Sequence, residues 1–328
     1  MTKTSSLPAL SEAAVVLTDS QRAEVALLAE DLARAASGVL DSPAWLAAAR
    51  AAAVRLPGEL RAAIRDFRYD AGPEGALLVR NLPVPADLPA TPTRLGSVQR
   101  TATTAAGAIA MVLLQLGEVV AYRSEKSGAL VQDVVPVAGQ EGQQSNAGSV
   151  RLQMHTENAF HRNRPDYLGL LCLRGDPTGD ARLCTASVRR ALPLLSGEAR
   201  RTLSEERFMT EAPPSFGGSG SVPPPVHAIL RGAPDDPDVL VDFNATHALD
   251  DGGRRAMDEL AAAFEATTHA LALTAGDLAV VDNRLVVHGR SPYTPRYDGT
   301  DRWLHRVYAV ADYRRSRADR QAAGSVLD

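Results

Sequence analysis

The hydrophobic pattern changes character about a third of the way along this 328-residue chain. In the first third, apolar residues recur at the three- and four-residue spacing of a helix face. "DSQRAEVALLAEDLARAASGV" keeps that spacing from an Asp19–Ser20 cap to Gly38. "DSPAWLAAARAAAVRL" repeats it, with Asp41 or Ser42 as cap and Pro43 in the first turn, where the missing N–H is harmless. "TATTAAGAIAMVLLQLGEVV", Thr101 to Val120, is apolar almost throughout and predicts a helix packed against a sheet. Between these, "GALLVRNLPV" (Gly75 to Val84) is a short apolar run bounded by turn residues, which predicts a buried strand.

Beyond residue 128 the runs shorten and strand patterns dominate. "GALVQDVVPV", "SVRLQMHTE", "YLGLLCLRG", "DVLVDFNA", "HALALTAGDLAVVDN" and "RWLHRVYAVADY" each read as strands, with turn residues between them. Many short strands predict a β-sandwich or a barrel. The expected class is mainly β with flanking α: a double-stranded β-helix (jelly roll) core braced by the N-terminal helices. Residues 1–328 read as one domain, with 1–15 as a loose tail. "EAPPSFGGSGSVPPPVHAI" is too rich in Gly, Pro and Ser for regular structure and too long for a connector. Residues 211–225 are therefore expected to act as a lid.

Composition narrows the function classes. A formal net charge of -4 with no long Lys/Arg run gives no footprint for nucleic acid. The short cluster "YRRSRADR" reads as a solvated helix end. The start lacks the apolar core of a signal peptide and no run is long enough to span a bilayer, so a cytoplasmic protein without a membrane partner is expected. Cys172 and Cys184 read as thiols in a reducing compartment.

The chemistry begins in "RLQMHTENAF". In an extended segment His155 and Glu157, two residues apart, project from the same face. Downstream, "GDLAVVDNRLVVHGRSPYTPRYDGTDRWLHRVY" carries His288 and then Arg302, in a strand where Arg302, Leu304, Arg306 and Tyr308 share a face. Two histidines and a carboxylate form the facial triad of non-haem Fe(II) oxygenases, which leaves positions open for a co-substrate and O₂. A nearby arginine supplies the fork that the distal carboxylate of 2-oxoglutarate requires. His305 alternates away from Arg302 and Arg306 and reads as core or surface.

On "HTENAFHRNRPDYLGLLCLR", "ASVRRALPLLS", "VVDNRLVVHGRSPYTPRYDGTDRWLHRVY" and "GALVQDVVPV", the chain resembles the clavaminate synthase-like family of Fe(II)/2-oxoglutarate-dependent oxygenases over most of its length. The resemblance implies His155, Glu157 and His288 as iron ligands and Arg302 with Thr185 as the 2-oxoglutarate site. A family threonine is Leu183 here, and Thr185 is the nearest hydroxyl. It further implies Glu125, Asn146 and Arg306 for the polar backbone groups of a free L-amino acid, and Asp242 for its side chain. Cβ hydroxylation of L-asparagine, supplying nonribosomal peptide or antibiotic synthesis, is the first implied activity. Arginine or another polar or basic amino acid is the second. Glu125 where arginine-acting members carry glutamine, and Asn244 where they carry a second acid, favour the neutral side chain. The same residues are compatible with desaturation, and more remotely with a non-catalytic binding protein on this fold.

Overall fold

A computed structural model describes residues 14–34, 39–216, 224–321 and 324–328. Thr18 caps the first helix, one residue before the expected cap. Its hydroxyl accepts from the Gln21 amide at 3.2 Å, and the Gln21 side chain accepts from the Thr18 amide at 2.9 Å, a reciprocal cap. The helix runs Asp19–Arg34, and Pro43–Ala53 follows with Ser42 as cap, as expected. A further helix, Gly58–Tyr69, leads into the strand Ala76–Arg80.

The apolar helix is shorter than its pattern predicts, Thr104–Leu113, with every residue after Thr104 buried. The chain then turns at Gly117, where a Cβ would lie 2.1 Å from the Val310 carbonyl oxygen. Residues Glu118–Tyr122 become a strand paired antiparallel to the strand Trp303–Val310. The β-branched pair Val119–Val120 packs better on a pleated surface than on a helix.

Two sheets enclose the interior. Among the described residues the larger has nine strands, centred on the antiparallel pair Tyr167–Arg174 and Trp303–Val310. The smaller runs His269–Leu271, Leu183–Ser187, Val286–Arg290, Leu152–His155 in spatial order. Leu170 and Arg306 of the larger sheet and Leu183 and His288 of the smaller line one internal cavity, so the sheets face each other across it. The helix Thr104–Leu113 lies on the opposite side of the larger sheet, against its two central strands.

Three features depart from the sequence reading. Residues 1–13 lie outside the described residues, but Val15 is not loose: Val15–Val16 pair in parallel with Val79 and Arg80. Helix Asp251–Thr267, capped by Asp250, was hidden by Gly252 and Gly253 in its first turn. The cluster "YRRSRADR" is held rather than solvated, with Arg315 paired to Asp166 at 2.8 Å and Arg320 3.5 Å over the Tyr313 ring. Of the expected lid, residues 217–223 lie outside the described residues. Pro214–Phe216 form one short turn of helix, and Phe216 packs on Phe160 at 4.8 Å between ring centroids. Among the described residues no helix is long and apolar enough to cross a membrane.

Candidate active site

His155 and His288 face each other as Cα partners in the antiparallel pair Leu152–His155 and Val286–Arg290. Opposite residues project to the same side, and their rings stand 4.4 Å apart. Gly289 permits this approach: a Cβ there would sit 2.5 Å from the Leu152 carbonyl oxygen. Glu157 reaches the same place by another route than the extended face predicted. The strand ends at His155 and Glu157 lies in the following turn. Thr156 ties that turn down through its amide to the Val241 carbonyl at 2.7 Å. Asn283, fully buried, accepts from the Glu157 amide at 2.7 Å and donates to the carbonyls of Glu157 at 3.0 Å and Pro165 at 2.9 Å. The Asp282–Asn283 turn thus clamps the carboxylate. One ligand atom each from His155, Glu157 and His288 lies within 4.8 Å of the others.

Asn283→Ala would strand three buried backbone groups, and each such group costs about 1–3 kcal/mol. The expected result is a loss of roughly 3 kcal/mol or more in urea unfolding, with metal affinity lowered about 10- to 100-fold, as for other groups that orient a ligand. Calorimetric Fe(II) titration at wild-type affinity would refute the clamp.

The donor set fits a divalent metal. His155 Nδ1 lies 2.9 Å from the Gln153 carbonyl, which fixes it as the donor and leaves Nε2 free to ligate. Burial, reinforced by neighbouring His155, lowers the His288 pKa against the pull of Glu157, so the ring is neutral and ligand-competent. Burial opposes ionisation of Glu157, yet Arg306 and the two histidines outweigh it and hold the carboxyl well below its usual range.

Glu157 divides its oxygens. Oε2 lies 3.3 Å from His288 Nε2, while Oε1 accepts from Arg306 Nη1 at 3.0 Å and from the Tyr308 hydroxyl at 2.8 Å. Arg306 is 3% exposed and sits 4.8 Å over the Tyr308 ring. It also donates to Glu125 and to Gln132, the latter from Nε at 3.2 Å. Turned to satisfy both groups, the Asn146 amide oxygen accepts from the same guanidinium at 2.9 and 3.2 Å. Burial alone would lower the Arg306 pKa, but Glu125 and Glu157 raise it far above the ordinary range. It is a permanent cation.

A cleft of about 450 Å³ opens over these groups, lined by Glu125, Asn146, His155, Glu157, Asp242 and Arg306 among others. Asp242 reaches it through a bridge to His155, and its Oδ1 accepts from the Asn244 amide at 2.8 Å. Glu211 to Pro214, the start of the expected lid, lie on the cleft wall. Beneath, a smaller cavity of about 30 Å³ is lined by Arg302 and by Leu183. Thr185 is buried opposite His288 in the sheet, and neither cavity includes it in its lining. His305 is in the core, 3.2 Å from Asp133.

Sequence reasoning missed Asn158, Gln132 and Tyr308. Asn158 adopts φ 51° beside Glu157, lines the cleft and has a buried Nδ2 with no partner. Its signal was an asparagine, tolerant of the left-handed region, directly after the carboxylate. Gln132 was legible as a lone amide in the fully buried strand Val131–Val134.

The family model of the taurine catabolism dioxygenase TauD, TfdA family matches residues 54–308. L-asparagine oxygenase of Streptomyces coelicolor is 49% identical over 95% of this chain and 94% of its own length. Clavaminate synthase 2 of Streptomyces clavuligerus is 32% identical over 88% of this chain and 90% of its own. A solved structure of asparagine oxygenase in complex with Fe(II), 2S,3S-3-hydroxyasparagine and succinate superposes with a TM-score of 0.93 at 49% identity. It covers 96% of this chain and 99% of that one. With a matched segment of this extent and relatives of this identity, the chain belongs to the taurine catabolism dioxygenase TauD, TfdA family.

Proposed function

We propose that this protein is an Fe(II)/2-oxoglutarate-dependent hydroxylase on a jelly-roll core that oxidises the Cβ of free L-asparagine. The observation that carries this is a cation and an anion, Arg306 and Glu125, poised together beside the His155–Glu157–His288 cluster. His155, Glu157 and His288 would hold the iron, and Arg302 would pair the distal carboxylate of 2-oxoglutarate. When bound, iron and 2-oxoglutarate activate O₂ for removal of a hydrogen atom from carbon. The likeness to asparagine oxygenase supports the substrate.

The chain's own residues choose the carbon. Arg306 takes the substrate's α-carboxylate and Glu125 its α-ammonium, so the amino acid is gripped at both charged ends. Asn146 adds a polar contact to the same backbone groups. Fixing the two ends fixes Cβ against the metal, and position selects the bond to be cut. Asp242 is left to face the side chain, with Asn244 beside it on the cleft wall. One acid accepts from an amide NH₂, whereas aspartate would oppose it with a like charge.

The test is competition between asparagine, aspartate and arginine, followed by mass, in the wild type and in Asp242→Asn. A like charge at hydrogen-bond range costs about 2–3 kcal/mol, roughly 30- to 150-fold in kcat/KM. Wild type is expected to gain one oxygen on asparagine and to reject aspartate, and Asp242→Asn to admit aspartate. Wild type that turns over arginine and ignores asparagine would refute the substrate assignment while leaving the metal site intact.

A further inference from the structure

Two buried arginines converge on the small inner cavity from opposite sheets. Arg290 ends the strand Val286–Arg290 of the smaller sheet, and Arg302 immediately precedes Trp303–Val310 of the larger. Both line the cavity of about 30 Å³, at 4% and 6% exposure. The hydrogen bond of Arg290 runs from Nη2 to the Val150 carbonyl at 2.9 Å, and its guanidinium lies 5.1 Å from the Tyr293 ring centroid. Arg290 Nε, Arg302 Nη1 and the Tyr293 hydroxyl are all buried without a partner.

Charge compensation is absent where it is most needed. Arg306, equally buried on the same cavity, is paired with two carboxylates. Among the described residues Arg290 and Arg302 have no carboxylate within the 4.0 Å of an ion pair. Asp176 acts on Arg302 from further away, but is engaged in its own turn, accepting from Thr178 and the Asp180 and Ala181 amides. A buried unpaired cation is costly, and two lining one small cavity repel each other as well. Such a pair is waiting for an anion.

We infer that Arg290 is a second arginine for the distal carboxylate of the 2-oxo acid co-substrate, closing on it from the side opposite Arg302 and selecting a doubly charged acid. This rests on the reading of the site proposed above. The chemistry matches the space. A single water needs about 10–15 Å³, so a cavity this small admits the carboxylate end of a ligand and little else. A carboxylate offers about four acceptor positions, more than one guanidinium fork fills. A second fork from the facing sheet would use the remainder.

The experiment measures binding without turnover. Protein loaded with Mn(II), kept free of O₂, is titrated calorimetrically with 2-oxoglutarate and with 2-oxopentanoate, which has the same carbon chain but no distal carboxylate. Arg290→Gln is expected to weaken 2-oxoglutarate about 10- to 100-fold and to leave 2-oxopentanoate unchanged. Arg290→Lys, which keeps the charge without the fork, should fall between. Ligand-free Arg290→Gln should melt no lower than wild type, because it removes an uncompensated buried charge. Unchanged 2-oxoglutarate affinity, or parallel weakening of both acids, would overturn the inference while the wider reading stands. Mn(II)-loaded wild type that binds no 2-oxoglutarate would overturn both.

Discussion

His155→Ala should abolish turnover and release the metal while leaving the fold intact. The two consequences separate because of where His155 sits. It is only half-buried, at the end of the strand Leu152–His155, and its ring hydrogen-bonds to the carbonyl of Gln153 two residues away. Removing the ring therefore strands no distant buried group. The metal site, by contrast, loses one of the three protein ligands assigned to it. Mutating a residue that merely orients a ligand costs about 10- to 100-fold in metal affinity, and loss of a ligand should exceed that. Calorimetric Fe(II) titration and thermal melting of the same preparation check both halves. Full activity in His155→Ala would sink the ligand assignment; a collapse in melting temperature would show that the histidine is structural. Glu157→Ala would be a poorer test, because it also strips Arg306 and Tyr308 of a partner.

Much of this site was legible in the sequence, and the reasons are physical. His288, Arg302 and Arg306 sit in or beside regular strands, where a period of two maps position onto face. His155 ends its strand, so it obeyed the same rule. Glu157 did not: it converges with the histidines because Thr156 and Asn283 hold a turn in place. Spacing pointed to a residue of the cluster by a geometry the structure does not have. Asn283 read as an ordinary turn residue because nothing in a dipeptide reveals which distant amide it will meet. The buried partners of Arg306 were harder still. Gln132 lies 174 residues from Arg306, and only the strand pairing Arg306↔Gln132 brings its amide to that charge, while Tyr308 sits two residues along Arg306's own strand. Thr185 is the opposite case. A hydroxyl two residues from the wanted position is on the right strand and face, but Leu183 is the residue at the cavity wall. The helix Thr104–Leu113 was placed correctly against the sheet and overrun at its end. Composition cannot show that Gly117 must slip past the Val310 carbonyl.

Removing Arg306 should damage stability and substrate binding by different amounts according to what occupies the site. Arg306→Met leaves the Glu125 and Glu157 carboxylates and the Gln132 amide oxygen without their shared donor. Glu157 and Gln132 are almost wholly buried, at 5% and 1% exposure. Breaking a buried ion pair by deleting one partner costs about 3–5 kcal/mol, since the surviving charge stays in a poor solvent. That loss should appear in urea unfolding of the metal-free protein. Metal should restore part of it. A divalent ion on Glu157 compensates the same charge, and a ligand that binds only the folded state adds its own stabilisation. Asparagine binding should not recover with metal, because Glu125 cannot hold an α-carboxylate. The lost charge pair predicts a KM higher by about 30- to several-thousand-fold, or 2–5 kcal/mol. Arg306→Lys divides the two roles. An ammonium keeps the charge but has three donors and no planar fork, too few to hold Glu125, Glu157, Gln132 and an incoming carboxylate together, so it should regain stability before it regains affinity. Equal recovery of both in the lysine variant would mean that charge alone matters at this position. Wild-type stability and KM in Arg306→Met would show that the guanidinium neither holds the carboxylates nor meets the substrate.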